Sequence, residues 1–232
     1  MCPAPVPPTL VCFDIGGVLV RLCAGWDEAY RAAGLDVRPV PAGSAIEARR
    51  REIGIRFDSG QISLDDWANG VAQIIDAVYS PDELKRVHAA FLKDEYPGAL
   101  ELVGELHARR VETACLSNTN AAHWSRLAHV DEGGGARPGL AEFPAVVRLE
   151  HRLASHILHA MKPDAAAFAH VERATGARGP AILFFDDREE NVGAARRCGW
   201  RAECVDPLGD TIAQVRGHLE VAGVLAADAA HG

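Results

Sequence analysis

The sequence predicts an α/β protein: a doubly wound parallel sheet, interrupted early by an inserted helical subdomain. Three observations carry this. Apolar, strand-like runs at Thr9–Phe13, Glu112–Leu116 and Ala181–Phe185 each end at a polar residue, Asp14, Ser117 and Asp186. Helical spacing separates the later runs, and strands alternating with helices imply a parallel sheet covered on both faces. Between Gly25 and Tyr96 the alternation lapses into successive helix-like stretches.

The elements follow in order. The first run closes at Gly16-Gly17, a turn signal. Helical stretches come next at Trp26–Ala33, Ala45–Ile55, Leu64–Val78 and Pro81–Leu92, with apolar residues three or four apart. Ser63-Leu64-Asp65-Asp66 and Ser80-Pro81-Asp82-Glu83 carry an N-cap hydroxyl and acidic first turns, the second with proline at the first helical position. After Pro97, helices are expected at Ala99–Arg109, His123–Leu127, Ala165–Thr175, Glu190–Cys198 and Asp210–Leu219. Ala145–Leu149 reads as a short strand, Arg201–Val205 as another, and glycine-rich 129–139 as a surface loop. The alanine-rich tail from Val221 is expected to fray. This organisation assigns 1–22 and 97–232 to an α/β core and 23–96 to a helical cap.

Composition narrows the function. Hydrophobic residues are 48% and charged residues 24%, an ordinary globular balance. With 24 basic and 32 acidic residues the net charge is −8, which argues against nucleic acid as a partner and requires local positive groups or a metal for any anionic substrate. The N-terminal MCPAPVPPTL lacks a basic region and an apolar core, and no apolar stretch suits a membrane span. The six cysteines show no CxxC spacing, and Cys12 and Cys115 fall inside apolar runs where a thiol packs as a small hydrophobe. A cytoplasmic location is expected. The oligomeric state is not legible.

In a parallel sheet, polar residues that end strands gather outside the carboxyl edge. That would unite Asp14, Ser117 and the Asp186-Asp187 pair across the length of the chain. The motifs F-D-I-G-G-V-L-V, L-S-N-T-N, M-K-P-D and F-F-D-D-R-E-E-N, in this order, resemble the four motifs of the haloacid dehalogenase (HAD) superfamily. F-D-S-G-Q-I-S-L-D-D-W looks like a segment of its helical cap. The resemblance covers most of the chain, and is nearest to bacterial sugar-phosphate phosphatases and the N-terminal phosphatase domain of soluble epoxide hydrolases. It implies a Rossmann-like core and a Mg²⁺-dependent phosphatase acting on a small phosphorylated metabolite. Asp14 would be the nucleophile, forming an aspartyl-phosphate. Asp14, the Gly16 carbonyl and Asp187 would hold Mg²⁺, with Asp186 and Asn191 orienting its waters. Lys162 would neutralise charge, and Ser117 with the Asn118 backbone N–H would hold a phosphoryl oxygen.

Position 16 departs from the pattern. The resemblance implies a second aspartate there, acting as general acid and base, and this chain has glycine. Losing such a group costs about 10²–10⁴ in rate. That favours substrates with good leaving groups, and the similar sugar-phosphate phosphatases share the glycine. His123 is a candidate replacement with a neutral-range pKa, or else a helix-surface or cap-contacting histidine. Two other readings stay open: a non-catalytic binding protein, and a 2-haloacid dehalogenase in which Asp14 attacks carbon without a metal. Candidate substrate contacts are Trp26, Arg49-Arg50-Arg51, Arg56 and Trp124.

Overall fold

The computed structural model describes residues 6–131 and 134–226. In chain order the strands are β1 (Leu10–Phe13), β2 (Val20–Leu22), β3 (Leu92–Glu95), β4 (Glu112–Ser117), β5 (His151–Ala154), β6 (Ile182–Asp186) and β7 (Arg201–Cys204). The first helices are α1 (Trp26–Ala32), α2 (Ser44–Asp58), α3 (Leu64–Ile74) and α4 (Pro81–Ala90), all between β2 and β3. They are followed by α5 (Ala99–Ala108), α6 (Ala121–Leu127), α7 (Pro144–Arg148), α8 (Ser155–Leu158), α9 (Ala165–Thr175), α10 (Glu189–Arg197) and α11 (Thr211–Val221).

Five strands form one parallel sheet in the order β5-β4-β1-β6-β7. The central strands are apolar throughout because both faces are covered. Val11 and Phe13 of β1 join Leu183 and Phe185 of β6 in one core, under α5, α6, α7 and α11. Leu10 and Cys12 join Ile182 and Phe184 in a second core, under α9 and α10. Cys12 and Cys115 are fully buried in these layers, as small hydrophobes should be.

Register explains the site. Phe13 of β1 pairs with Cys115 of β4 on one side and Phe185 of β6 on the other. Asp14 and Asp186 directly follow those pairs, and Ser117, two residues past Cys115, ends β4, so all three emerge at the carboxyl edge.

The four helices α1–α4 bury a third apolar cluster of their own, including Tyr30, Phe57, Trp67, Val71, Tyr79 and Leu84. The two N-caps read from sequence form, and each is completed as a capping box, Ser63 with Asp66 and Ser80 with Glu83. The antiparallel pair β2–β3 ties the point where the chain leaves the sheet domain to the point where it returns. Sequence reading missed this pair and ran the fourth helix to Leu92, because strands of three and four residues with half-exposed charges carry no clear period.

Three more expectations need correction. Ala145–Leu149 is not a strand: Pro144 starts helix α7, which buries Ala145 and Val146, and strand β5 follows at His151. The Leu64–Val78 helix stops at Ile74, since Asp76 and Ala77 adopt left-handed backbone. The tail does not fray from Val221, because Val224 and Leu225 are buried in the first core. The rest of that tail, 227–232, and Gly133 of the expected glycine loop lie outside the described residues.

The segment joining α2 to α3 presses directly on the sheet domain. Gly60 has φ 74°, and a Cβ there would sit 2.6 Å from the His156 carbonyl oxygen. Ser155 Oγ donates to the Asp58 carbonyl at 2.5 Å, and His159 Nδ1 donates to the Ser59 carbonyl at 3.1 Å. Left-handed backbone costs a residue with a side chain about 1–2 kcal/mol, and the clash is with backbone that cannot swing aside. Gly60→Ala is therefore expected to destabilise the protein by about 2 kcal/mol or more in urea denaturation. An unchanged midpoint would show that the segment does not dock this way.

Candidate active site

Asp14 leaves the buried end of β1 and is 9% exposed. Its Oδ1 accepts the Ile15 N–H at 2.7 Å, and its Oδ2 lies 3.0 Å from Lys162 Nζ. Lys162 Nζ also donates to Asp186 Oδ2 at 2.7 Å. The ammonium is thus enclosed between two carboxylates, with the Phe184 ring 5.3 Å away. Burial pulls the Lys162 pKa down, but the charges of Asp14 and Asp186 outweigh it and leave it raised.

Asn118 positions that lysine. Its Nδ2 donates to the Lys162 carbonyl at 2.8 Å, and its Oδ1 accepts the Lys162 N–H at 2.9 Å. Both ends of the amide are thus engaged with the Lys162 backbone. The adjoining cavity is about 230 Å³, lined by Asp14, Gly16, Leu22, Ser117, Asn118, Lys162, Asp187, Arg188 and Asn191, among others. The residues read from sequence as nucleophile, metal ligands, cation and phosphoryl holders (Asp14, Gly16, Ser117, Asn118, Lys162, Asp186, Asp187 and Asn191) are at this one edge of the sheet.

The acidic residues divide their work. Asp186 is saturated: Oδ1 accepts the Arg188 N–H at 2.9 Å, and both oxygens accept from Asn191 Nδ2. Asp187 is partly exposed and presses on Gly17, where a Cβ would meet Asp187 Oδ2 at 2.6 Å. One oxygen each from Asp14, Asp186 and Asp187 fall within 4.8 Å of one another. Burial, then Asp186 and Asp187, push the Asp14 pKa up to about 7 against the pull of Lys162. Asp187 is also raised, by burial and by Asp186. Three carboxylates against one ammonium leave an excess of two negative charges, the charge of one divalent cation. Asn191 Oδ1 is buried with no hydrogen-bond partner, an acceptor suited to an ordered metal water. A hard, oxygen-binding cation such as Mg²⁺ fits this donor set.

His123 lines the same cavity but does not stand free. Its ring stacks on His88 at 3.7 Å, and its Nε2–H donates to the His88 carbonyl at 2.7 Å. Burial holds its pKa down at about 4. That makes it a neutral, cap-contacting histidine rather than a general acid. Asn120 completes the junction: Oδ1 caps α6 at the His123 N–H, while Nδ2 donates to Asp58 Oδ1 at 2.9 Å and to His88 Nε2 at 3.1 Å.

A second cavity, about 240 Å³, adjoins the first across Asn118, Thr119 and His123, and is walled by Trp26, Arg50, Phe57, Asp58, Trp67 and His88. Trp26 and Arg50 thus lie where the sequence suggested substrate contacts. Trp124 does not: it is buried in the first core. Arg49 is exposed, and Arg51 and Arg56 line an outer groove along α2. Sequence reading overlooked Leu22, Asp58, His88 and Arg188. Of these, Asp58 falls inside the quoted F-D-S-G segment and Arg188 inside F-F-D-D-R-E-E-N.

This arrangement defines a class of protein: a doubly wound α/β hydrolase with an acidic, lysine-bridged site at the carboxyl edge. The haloacid dehalogenase-like hydrolase family model matches residues 8–199, and the chain belongs to that family. It is 30% identical over 210 residues to a Mycobacterium tuberculosis protein, Phosphatase MT3486, covering 87% of this chain and 88% of the relative. Among solved structures, a HAD family enzyme of Bacteroides thetaiotaomicron in complex with magnesium and inorganic phosphate matches with TM-score 0.65 and 19% identity, over 87% of this chain and 96% of that one. The L-2-haloacid dehalogenase of Xanthobacter autotrophicus, with chloropropionic acid covalently bound, matches with TM-score 0.58 and 20% identity, over 94% of this chain and 86% of that one. Among the described residues no helix is long and apolar enough to cross a membrane.

Two predictions follow from the charges. Lys162→Met should leave buried carboxylates without their counter-ion and lower stability by about 3–5 kcal/mol at neutral pH. The loss should shrink in acid, where the carboxylates protonate, and a loss independent of pH would contradict this. Burial raises Asp58 from 3.8 to about 6, opposed by the Asn120 hydrogen bond. Because the folded protein holds that proton more tightly than the unfolded chain, the contribution is full below pH 4 and is lost as pH rises through 6. The stability of wild type relative to Asp58→Asn should therefore fall by about 2 kcal/mol between pH 4 and 7. Parallel stability curves would refute the assignment.

Proposed function

We propose that this hydrolase is a Mg²⁺-dependent phosphatase that cleaves a small phosphorylated metabolite through an aspartyl-phosphate on Asp14. The observation that carries the reading is the Asp14–Lys162–Asp186 bridge beside the free carboxylate of Asp187. A curated relative that is a phosphatase, and a fold relative solved with magnesium and inorganic phosphate, agree with it. Mg²⁺ on the Asp14 and Asp187 carboxylates and the Gly16 carbonyl would supply charge neutralisation for an incoming phosphoryl group. The division of residues 1–22 and 97–232 as catalytic core, with 23–96 as cap, belongs to the same reading.

The chain's own groups then have distinct tasks. The Asp14 carboxylate attacks phosphorus, and the bond to the leaving oxygen breaks. Lys162 neutralises the nucleophile and the phosphoryl oxygens, and the Asn118 amide holds Lys162 in register. Ser117 Oγ and the Asn118 N–H hold a transferring oxygen. Water then attacks the acyl phosphate and frees Asp14. Metal-free attack on carbon, the dehalogenase reading, leaves Asp187 and the orphaned Asn191 Oδ1 without a task.

Gly16 shapes the substrate range. A Cβ at position 16 would meet only the Leu22 side chain, with Cδ1 at 2.8 Å. An apolar leucine tip occupies the space where a carboxylic acid would work, and His123, the one histidine among the described lining residues, is held neutral by burial and bonded to the His88 carbonyl. The site therefore suits leaving groups that depart without a proton, such as anomeric, acyl or aryl phosphates.

The test is a phosphate-ester panel with and without Mg²⁺. Turnover is expected only with Mg²⁺, and Asp14→Asn is expected to reduce it to background. Equal turnover by Asp14→Asn and wild type would end the phosphatase reading. Gly16→Asp, combined with Leu22→Ala to make room, should raise kcat/KM on alkyl phosphates by about 10²-fold while changing aryl phosphates little. A uniform change across the panel would show that position 16 does not set leaving-group preference.

A further inference from the structure

The catalytic cavity holds one cation to which the chemistry above gives no task. Among the described lining residues only Lys162 and Arg188 carry a permanent positive charge. Lys162 is deep, its side chain 0% exposed and its ammonium committed to Asp14 and Asp186. Arg188 stands on the solvent side, 61% exposed, and its guanidinium makes one hydrogen bond, from Nη2 to Glu190 Oε2 at 3.2 Å. Exposed ion pairs of this kind contribute little, so the guanidinium is free to leave Glu190. Its charge already reaches the site: Asp187, raised by burial and by Asp186, is drawn down by Lys162 and by Arg188.

Folding does not ask for arginine at this position. Arg188 is the N-cap of α10, where serine, threonine, aspartate or asparagine would accept a helix N–H, and its side chain makes no such bond. A cation there also opposes the helix dipole, which favours anions at this end. Glu189 and Glu190 in the first turn obey that rule, and Arg188 breaks it. What anchors the residue is its backbone N–H, held by Asp186 Oδ1 at 2.9 Å, which any residue but proline would supply. A side chain that is unfavourable where it stands, and that lines a catalytic cavity, points to chemistry.

The charges of the reaction supply the need. A divalent cation would balance the surplus of the three carboxylates over Lys162 and leave the cluster neutral. A phosphate monoester brings a charge of about −1.5 to −2 at pH 7. Cleavage then concentrates negative charge on the leaving oxygen. Gly16 offers no acid to protonate it, Leu22 fills the space beside it, and His123 is neutral and bonded to the His88 carbonyl. The leaving group must depart toward solvent, and Arg188 is the lining cation on that side.

We propose that Arg188 is a catalytic residue for the leaving group: it turns from Glu190 and holds the leaving oxygen as charge develops there, a permanent cation in place of the missing acid. This rests on the phosphatase reading. As Asp14 forms its bond to phosphorus, the bond to the leaving oxygen breaks and the electron pair stays on that oxygen. The resulting anion pairs with the guanidinium and takes its proton from water after release. The guanidinium gives up none, because it stays protonated across the working pH range.

A leaving-group series tests it: 2,4-dinitrophenyl, 4-nitrophenyl and phenyl phosphate, with Mg²⁺ and at constant ionic strength. Arg188→Ala should lower kcat/KM by less than about threefold on the dinitrophenyl ester and by about 10²-fold on phenyl phosphate, so that the dependence on leaving-group pKa steepens. Arg188→Lys should recover part of the loss. Guanidinium ion added to Arg188→Ala at a non-denaturing concentration should recover part of it where equal sodium chloride does not. Glu190→Gln should keep the wild-type dependence. Arg188→Ser, which adds a capping hydroxyl, should show the same steepening with a urea midpoint no lower than wild type, and keeps the test open if Arg188→Ala folds poorly. An equal loss on every ester at an unchanged midpoint would place Arg188 on the phosphoryl group and overturn the leaving-group role. The same steepening in Glu190→Gln would overturn it too. If wild type turns over no ester, the phosphatase reading fails and takes this role with it. Turnover with an unchanged leaving-group dependence in Arg188→Ala ends the role alone.

Discussion

The ammonium of Lys162, buried between the carboxylates of Asp14 and Asp186, is the interaction on which the rest of this protein turns. A charge this deep is tolerated only when paired and fully hydrogen-bonded. The pairing demands that three separate segments arrive together: the end of β1, the end of β6 and the loop before α9. Adjacent parallel strands deliver the first two, and the reciprocal amide bonds from Asn118 deliver the third. The cluster is left negative, and that surplus suits the edge to a hard cation. One arrangement therefore holds the carboxyl edge together and sets its chemistry.

Above this edge the helical insert is attached by polar contacts rather than by a shared apolar core. Its own cluster of aromatic and aliphatic side chains is separate from the two that flank the sheet. The junction is made by Asn120 reaching Asp58 and His88, by His123 stacked on His88, and by the close approach at Gly60. The Asn120 amide donates to Asp58 and His88 of the insert while its oxygen caps α6, so one side chain bonds both sides of the junction. Both cavities meet at the loop carrying Asn118 and Thr119.

The acidic and lysine residues of the site were legible because each follows a strand or opens a helix, and the parallel topology leaves them little freedom of position. The same logic failed for β2, β3 and β5, whose three or four residues are too few to show a period, and at Ala145–Leu149, where apolar, β-branched residues are helical because Pro144 starts a turn. Leu22 and His88 were invisible: they matter only through what they face, and nothing in their local sequence records that. Arg188 stands inside the fourth motif, yet only the fold turns it to the cavity. His123 was noticed for the wrong reason: its place after the second motif suggested acid–base chemistry, whereas burial and the His88 carbonyl keep it neutral and structural.

The sequence by itself determined the α/β class, the convergence of Asp14, Ser117 and Asp187, and the surplus of negative charge. These follow from residue identity and from the alternation of strands and helices, which are local properties; the place of Lys162 and the departure at position 16 rest on the motif resemblance. The tertiary structure alone decided which carboxylate is committed to Lys162 and which is left open, that an apolar side chain fills the space above Gly16, and that one arginine of three in a row turns inward. Those are outcomes of packing between residues distant in the chain. A guanidinium one position along α2 faces solvent or a cavity according to a rotation of about 100° per residue, and only the helices packed around it reveal which.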